Sequence, residues 1–355
     1  MTTTTNAIKD KAQAVPSVGW AASIILTIAG LAAWIYQLAA GMSVTGYSQQ
    51  VVWGLYIAAF FSAAAAGAGL LFLVGLSEFL PLAGLTRRKP LLMMSIASFV
   101  AAAFLILMDI GHPTQAWRLI TAFRLNVPMT WDFWFLVIAG LVALVYLLSA
   151  GESSRLLGAL SILASLALVT VEGVLLASNA SHPMWGGLTI VSFLVGALVA
   201  SLALAMLVLP KDEALKLSNA MAWVLGISLG LVLAEVLAGA VNANLHTIGM
   251  EEEVLSGLGS PFFWFQVVAG LLLPLALLKY SSANWKVAAV ASLALLGVLA
   301  EKSWMLISEQ AHSWVGLPHG SYFPSWVEFL AVIGACALGV LVFQLLLTLI
   351  KPETA

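Results

Sequence analysis

Residues 51–79 read VVWGLYIAAFFSAAAAGAGLLFLVGLSEF. The run holds no Lys, Arg or Asp, and its one acid, Glu78, comes near the end. About 30 Å of hydrocarbon is crossed by roughly 20 helical residues, so the run is long enough to span a bilayer. Working outward, similar runs lie at 17–40, 90–110, 131–149, 156–178, 184–208, 217–243, 262–278, 286–308 and 327–350. With a mean hydropathy of +1.05 and 8% charged residues, the chain could not cover its apolar surface in water. The sequence predicts an all-α integral membrane protein of ten transmembrane helices.

The loops divide the charge. The N-terminal tail and every second loop carry Lys9, Lys11, Arg87, Arg88, Lys89, Arg155, Lys211, Lys216, Lys279, Lys286 and Lys351, eleven of the fourteen Lys and Arg residues. The opposite loops hold Arg118 and Arg124, while Lys302 falls inside the ninth run. The positive-inside bias predicts cytoplasmic N- and C-termini. A missed or invented span would scramble this split, which therefore supports the count of ten. The first run is too long for a removable signal peptide and lacks a small-residue cleavage site, so it is expected to remain as a helix.

Cys336 is the one cysteine, and an iron–sulfur cluster needs four ligands. His112, His182, His246, His312 and His319 all sit in or beside the loops opposite the basic ones. A bis-His haem inside the bundle is not expected, nor is any bound metal.

Segment 133–141, FWFLVIAGL, returns as FWFQVVAGL at 263–271. Trp53-Gly54 returns as Trp185-Gly186, and SLAL at 165–168 returns at 292–295. The embedded glutamates that follow, Glu172 and Glu301, are 129 residues apart. Ordered matches at nearly one offset indicate two four-helix bundles, 51–178 and 184–308. Four spans per unit is an even number, so the repeats are parallel, unlike the inverted repeats of many transporters. The expected organisation is a tail (1–16), an extra helix (17–40), the two bundles and a C-terminal helix (327–350).

Candidate chemistry lies in Asp109-Ile-Gly-His112-Pro-Thr-Gln-Ala-Trp117-Arg118 and in Val127-Pro128-Met-Thr-Trp131-Asp132-Phe-Trp134. These stretches end the third span and begin the fourth. A carboxylate, imidazole, guanidinium and indole make a polar corner with apolar walls at the membrane surface. A lipid-soluble ring with two carbonyl oxygens needs such walls, together with hydrogen-bond donors and proton-exchanging groups. The alternative reading is a structural Asp109–Arg118 ion pair beside an interfacial aromatic belt.

At these residues the chain resembles the NrfD/polysulfide reductase membrane-subunit family. The resemblance rests on Trp53-Gly54-Leu55-Tyr56-Ile57 followed by SAAAAGAG, the stretch Asp109 to Arg118, the turn Val127 to Trp131, and Tyr322 to Glu328. It implies an anchor for a ferredoxin-like iron–sulfur subunit and a molybdopterin catalytic subunit in the cytoplasmic (inner) membrane of a prokaryote. It also implies exchange of electrons with a quinone such as menaquinone, no cofactor held by this chain, and no nucleic-acid partner. The quinone-binding residues so implied are Trp53, Tyr56, Asp109, His112, Arg118, Trp131 and Asp132. The chain departs from the family pattern at His112, where Arg is usual, and at Val127, where Ser precedes Pro. It also departs at Trp53 and Tyr56, where polysulfide reductase subunits carry Asn and His.

Glu172, Glu235 and Glu301 lie within spans, where a charge costs about 2.5–3.5 kcal/mol or more and often marks a pathway. They are candidates for proton transfer or for structural pairing. Lys302 adjoins Glu301, but neighbouring helical residues do not face each other, so its partner is expected elsewhere. Glu78 is expected at the interface, and Glu251-Glu252-Glu253 as a solvated acidic edge. The outer loops, with Trp314, Tyr322 and Phe323, read as a partner-docking face or as aromatic anchors. Two other function classes remain open: a secondary transporter, disfavoured by the parallel repeat and by the lack of Gly/Pro breaks at matching positions, and a purely structural anchor.

Overall fold

The computed structural model describes residues 17–350 except 83–84, 86, 150–152, 180–181, 183, 242–252, 282–284 and 313–319. His246, His319, Trp314, Glu251 and Glu252 therefore lie outside the described residues, as do Lys9, Lys11 and Lys351. Among the described residues, ten helices are long and apolar enough to cross a membrane. They are α1 Ser17–Ala40, α2 Leu55–Leu76, α3 Arg88–Asp109, α4 Pro128–Leu148, α5 Arg155–Ala177, α6 Gly187–Val208, α7 Ser218–Val241, α8 Ser260–Tyr280, α9 Lys286–Ala311 and α10 Trp326–Leu349. The chain is an all-α integral membrane protein.

The centre of the molecule is α2, which packs against α3, α5, α6 and α9. Its small residues permit this. A Cβ at Gly69 would lie 2.4 Å from the Ala197 carbonyl of α6, so only glycine lets these backbones meet. Ser95 of α3 donates to the Gly67 carbonyl at 2.7 Å, closing the other side. α4 rests on α3 and α5, while α7 and α9 pack on α6 and α8 packs on α9 and α7. α1 and α10 pack on each other and reach the rest of the protein mainly through α3. Segments 51–178 and 184–308 each contain four of the spans. We retain their relation as parallel repeats as a proposal from the sequence.

The eighth span is not uniform. Residues Phe265–Leu272 form a π-helix that runs into Pro274. Proline has no N–H for the preceding turn and crowds the carbonyl four residues back, here Gly270, so the turn widens. The fourth span, α4, is α-helical throughout.

One end of the bundle carries the basic loops. Here Glu78 accepts from Ser153 at 2.6 Å and from the Tyr146 hydroxyl, and it pairs with Arg88 at 2.6 Å. Arg87 and Glu213 add a 3.1 Å pair between the two bundles. Glu78, expected at the interface, lies at this end of the bundle and ties the end of α2 to α3 and α4. The other end, where α3 finishes and α4 begins, is the pocket end.

Candidate functional site

At the pocket end a cavity of about 120 Å³ opens among α2, α3, α4 and α5. Like ligand pockets generally, it is mostly apolar with a few convergent polar groups. The walls are Phe60 and Phe61 of α2, Ile106 of α3, Phe133 and Leu136 of α4, and Leu175 of α5. Trp53 closes one side, and Leu119 of the α3–α4 connection and Met129 at the start of α4 close another. The polar groups are two carboxylates, Asp109 and Asp132.

Asp109 is the last residue of α3, and Gly111 two residues on has φ +68°. That left-handed conformation suits glycine and turns the chain sharply off the helix. The turn leaves Asp109 at the cavity, where the Tyr47 hydroxyl donates to its Oδ1 at 2.5 Å. Burial, followed by the neighbouring Asp109 carboxylate, pushes the Tyr47 phenol well above its ordinary pKa. Tyr47 therefore stays protonated and remains a donor. Behind it, Tyr56 donates to Gln37 Oε1 at 2.5 Å, and Gln37 Nε2 donates to the Met108 carbonyl at 3.0 Å.

The loop bearing Tyr47 is fixed from α10. Glu328 accepts from the Gly46 amide at 2.7 Å and from the Tyr322 hydroxyl at 2.6 Å. Tyr322 in turn accepts from the Leu55 amide at 2.7 Å, capping the start of α2. Burial and the Glu328 carboxylate raise the Tyr322 phenol well above its usual range, so it too stays a donor.

Asp132 enters the cavity because Pro128 occupies the first turn of α4, which places residue 132 on the inner face. The side chain is buried, and its Oδ1 has no hydrogen-bond partner among the described residues. Deeper in the bundle, Glu172 of α5 is fully buried, and neither carboxylate oxygen has a partner among them. In the second bundle, Glu301 accepts from Gln266 Nε2 at 3.1 Å and from Lys302 Nζ at 2.7 Å. Gln266, aimed inward by the π-helix, also accepts from the Trp304 indole at 2.6 Å. Glu235 accepts from Ser192 at 3.1 Å.

The expectation that Lys302 pairs away from Glu301 is overturned. Their Cβ atoms diverge, but both side chains are long enough for the two heads to meet beside Gly196 of α6. The ammonium also lies 3.6 Å from the centre of the Phe193 ring, a cation–π contact that partly replaces lost hydration.

Of the residues singled out by sequence, the structure brings Trp53, Asp109 and Asp132 together at the cavity. Tyr56 is fully buried behind it, toward Gln37. His112 and Arg118 are exposed, and Trp131 is half-buried with its indole donating to the Leu125 carbonyl at 2.8 Å. No Asp109–Arg118 ion pair forms among the described residues. Tyr322, read as part of an exposed docking face, is buried, whereas Phe323 is exposed. His182 packs against Trp185 with ring centroids 4.3 Å apart and lies 3.7 Å from Glu309, and burial lowers its pKa. Sequence reasoning passed over Tyr47 and Gln37. Gln37 had a signal, a lone amide in the apolar run 17–40; Tyr47 had none.

Residues 43–312, about three quarters of the chain, match the family described as "Polysulphide reductase, NrfD". The chain belongs to the NrfD family. The NrfD match begins in the Tyr47 loop and ends just after α9, so it contains the whole cavity and leaves α1 and α10 outside. Among relatives, a "Putative dimethyl sulfoxide reductase membrane subunit" of Halobacterium salinarum is 34% identical over 36% of this chain and 30% of its own length. The chain thus matches under a third of that relative. A "Selenate reductase" subunit of Mesobacillus selenatarsenatis is 23% identical, with 92% of both chains aligned.

Proposed function

We propose that this chain is the quinone/quinol-interacting membrane subunit of a respiratory oxidoreductase complex. The observation that carries the reading is the cavity: an apolar slot at one end of an NrfD-family bundle, holding two carboxylates and walled by Trp53. Asp109 and Asp132 both line it, and in this reading each meets one oxygen of a quinone ring. Oxidation of a quinol releases two electrons and two protons. In this reading the carboxylates take the protons, and the electrons pass to an iron–sulfur partner docked at the pocket end. Tyr47 holds Asp109 in place, and His112, Arg118 and Trp131 stand at the rim.

The names of the two relatives favour a reductase complex with a molybdopterin catalytic subunit. The basic loops favour a cytoplasmic location for the opposite end and for both termini, which places the pocket end outside the cytoplasmic membrane. Glu172, Glu301 and Glu235 extend the acidic series from Asp132 into the second bundle, and we read them as proton-transfer groups. A route of this kind favours quinone chemistry coupled to proton movement over a purely structural anchor. The π-helix before Pro274 is similar to a transporter's broken helix, but α4 lacks the counterpart that a transporter's matching repeat would carry.

Quinol-dependent reduction of the partner clusters in the detergent-purified complex tests the reading. Menadiol should reduce them in the wild type and fail to do so in an assembled Asp109→Asn complex. A lone, colourless chain that recruits no redox partner would count against it.

A further inference from the structure

The connection between α3 and α4 has an unusual surface. Residues 113–131 read PTQAWRLITAFRLNVPMTW and contain two arginines and no acid. The strap forms a turn at Pro113–Gln115 and one helical turn at Arg118–Thr121, and is held to α4 by the Trp131–Leu125 bond and by Phe123 packed on Trp131 at 5.8 Å. Its large apolar side chains nevertheless point outward. Trp117 is 57% exposed, Ile120 54%, Phe123 48% and Leu125 68%. Arg118 and Arg124 are exposed among them, with no ion pair to another described residue. The same strap supplies the half-buried Leu119 and the more exposed Met129 to the cavity wall.

We propose that this strap lies in the headgroup layer of the membrane leaflet at the pocket end, with Arg118 and Arg124 on the phosphates of anionic phospholipid. The strap is thereby a lipid-seated wall of the cavity. Two observations select lipid as the occupant. The strap leads directly into α4, which carries an exposed apolar stripe of its own at Ile138, Leu141, Val145 and Leu148. The charge is wholly positive, which complements phosphate, and basic residues beside indole and aliphatic side chains are the pattern of interfacial segments. The consequence for the site is regulatory: anionic lipid seats the wall carrying Leu119 and Met129 and so tunes access to the cavity. This last step rests on the proposed quinone reading; the lipid contact does not.

The test uses the full chain in nanodiscs of phosphatidylcholine with or without phosphatidylglycerol. The Trp117 signal, isolated by difference from Trp117→Phe, should be quenched by brominated phosphatidylglycerol and shielded from aqueous iodide. Bound phosphatidylglycerol relative to phosphatidylcholine should fall on the order of five-fold per arginine removed in Arg118→Gln and Arg124→Gln, with the Lys variants retaining it. Iodide quenching without bromolipid quenching, or lipid binding unchanged in the double Gln variant, overturns the proposal. So does cross-linking of Trp117→Cys to a protein partner in the intact complex, which would make the strap a subunit interface. Heptylhydroxyquinoline N-oxide, a quinol analogue, is titrated in parallel and should bind more tightly with phosphatidylglycerol present. Lipid contact without any binding of the analogue would refute the quinone reading and the tuning of access while leaving the lipid site standing.

Discussion

Trp53 and Trp185 stack with ring centroids 5.9 Å apart and planes 16° from parallel. Each precedes the first helix of its own four-helix segment, so the stack joins the two segments at the pocket end. α9 holds both rings. The Trp185 indole donates to the Met305 carbonyl at 2.9 Å, and Gln310 bonds the Trp53 amide at 3.0 Å and its carbonyl at 2.8 Å. One wall of the cavity is therefore fixed from the second segment.

Trp185 does not line the cavity, yet its removal should be felt there. Aromatic pairs contribute about 0.5–1.5 kcal/mol beyond area burial, so Trp185→Ala should weaken binding of heptylhydroxyquinoline N-oxide by ~2–10-fold. Fluorescence titration of the reconstituted chain reads this. Unaltered affinity would mean that Trp53 holds its position without the stack.

Tyr47→Phe keeps the ring and deletes the donor to Asp109. A hydrogen bond to a charged group is worth about 1.5–3 kcal/mol, so menadiol-driven cluster reduction in the complex should drop about ten-fold or more. Asp109→Asn should fall further, and the double variant should match Asp109→Asn alone. Additive losses would show that Tyr47 acts other than through Asp109.

Lys302 and Glu301 form a buried pair, and breaking one side leaves the other charge stranded. Lys302→Met should cost about 3–5 kcal/mol, whereas Lys302→Met with Glu301→Gln should recover most of that loss. Thermal unfolding in one detergent compares them. A double variant as unstable as the single would show that the ammonium matters through Phe193 rather than through charge.

Sidedness can be read with an impermeant maleimide, since Cys336 is the one cysteine to remove. In a Cys336→Ser background, Asn126→Cys should label in intact cells and Ser153→Cys only after lysis. Both positions are exposed and lie at opposite ends of α4. The reverse pattern would invert the proposed orientation and place the cavity in the cytoplasm.

The spans were legible because each is a continuous apolar run whose length is set by the bilayer. Their starts were less so. The apolar run at 51–79 begins before Gly54, which caps α2, and Pro128 starts α4 three residues ahead of the run at 131–149. Asp109 and Asp132 could be paired from sequence because they flank a single connection. Tyr47 could not, since it meets Asp109 across 62 residues with no local pattern to mark it. The Lys302–Glu301 contact was misread because two long side chains can bring their heads together although their Cβ atoms diverge, which helical spacing alone does not encode.

The pairing of α1 with α10 has a consequence for how the protein is made. The two helices approach so closely that a Cβ on Gly30 would sit 2.4 Å from Gly334 Cα, and Ser23 donates to Gln344 across 321 residues at 2.8 Å. α1 is the first of these helices to leave the ribosome and α10 the last. At synthesis rates of roughly 5–20 residues per second, α1 waits on the order of tens of seconds for its main partner. Until then Gln37 can be satisfied by α3, but the Ser23–Gly30 face has only lipid to touch. Closure of this seam is the last step of assembly, so truncation within α10 should leave a bundle whose first helix is unmoored and open to membrane proteases.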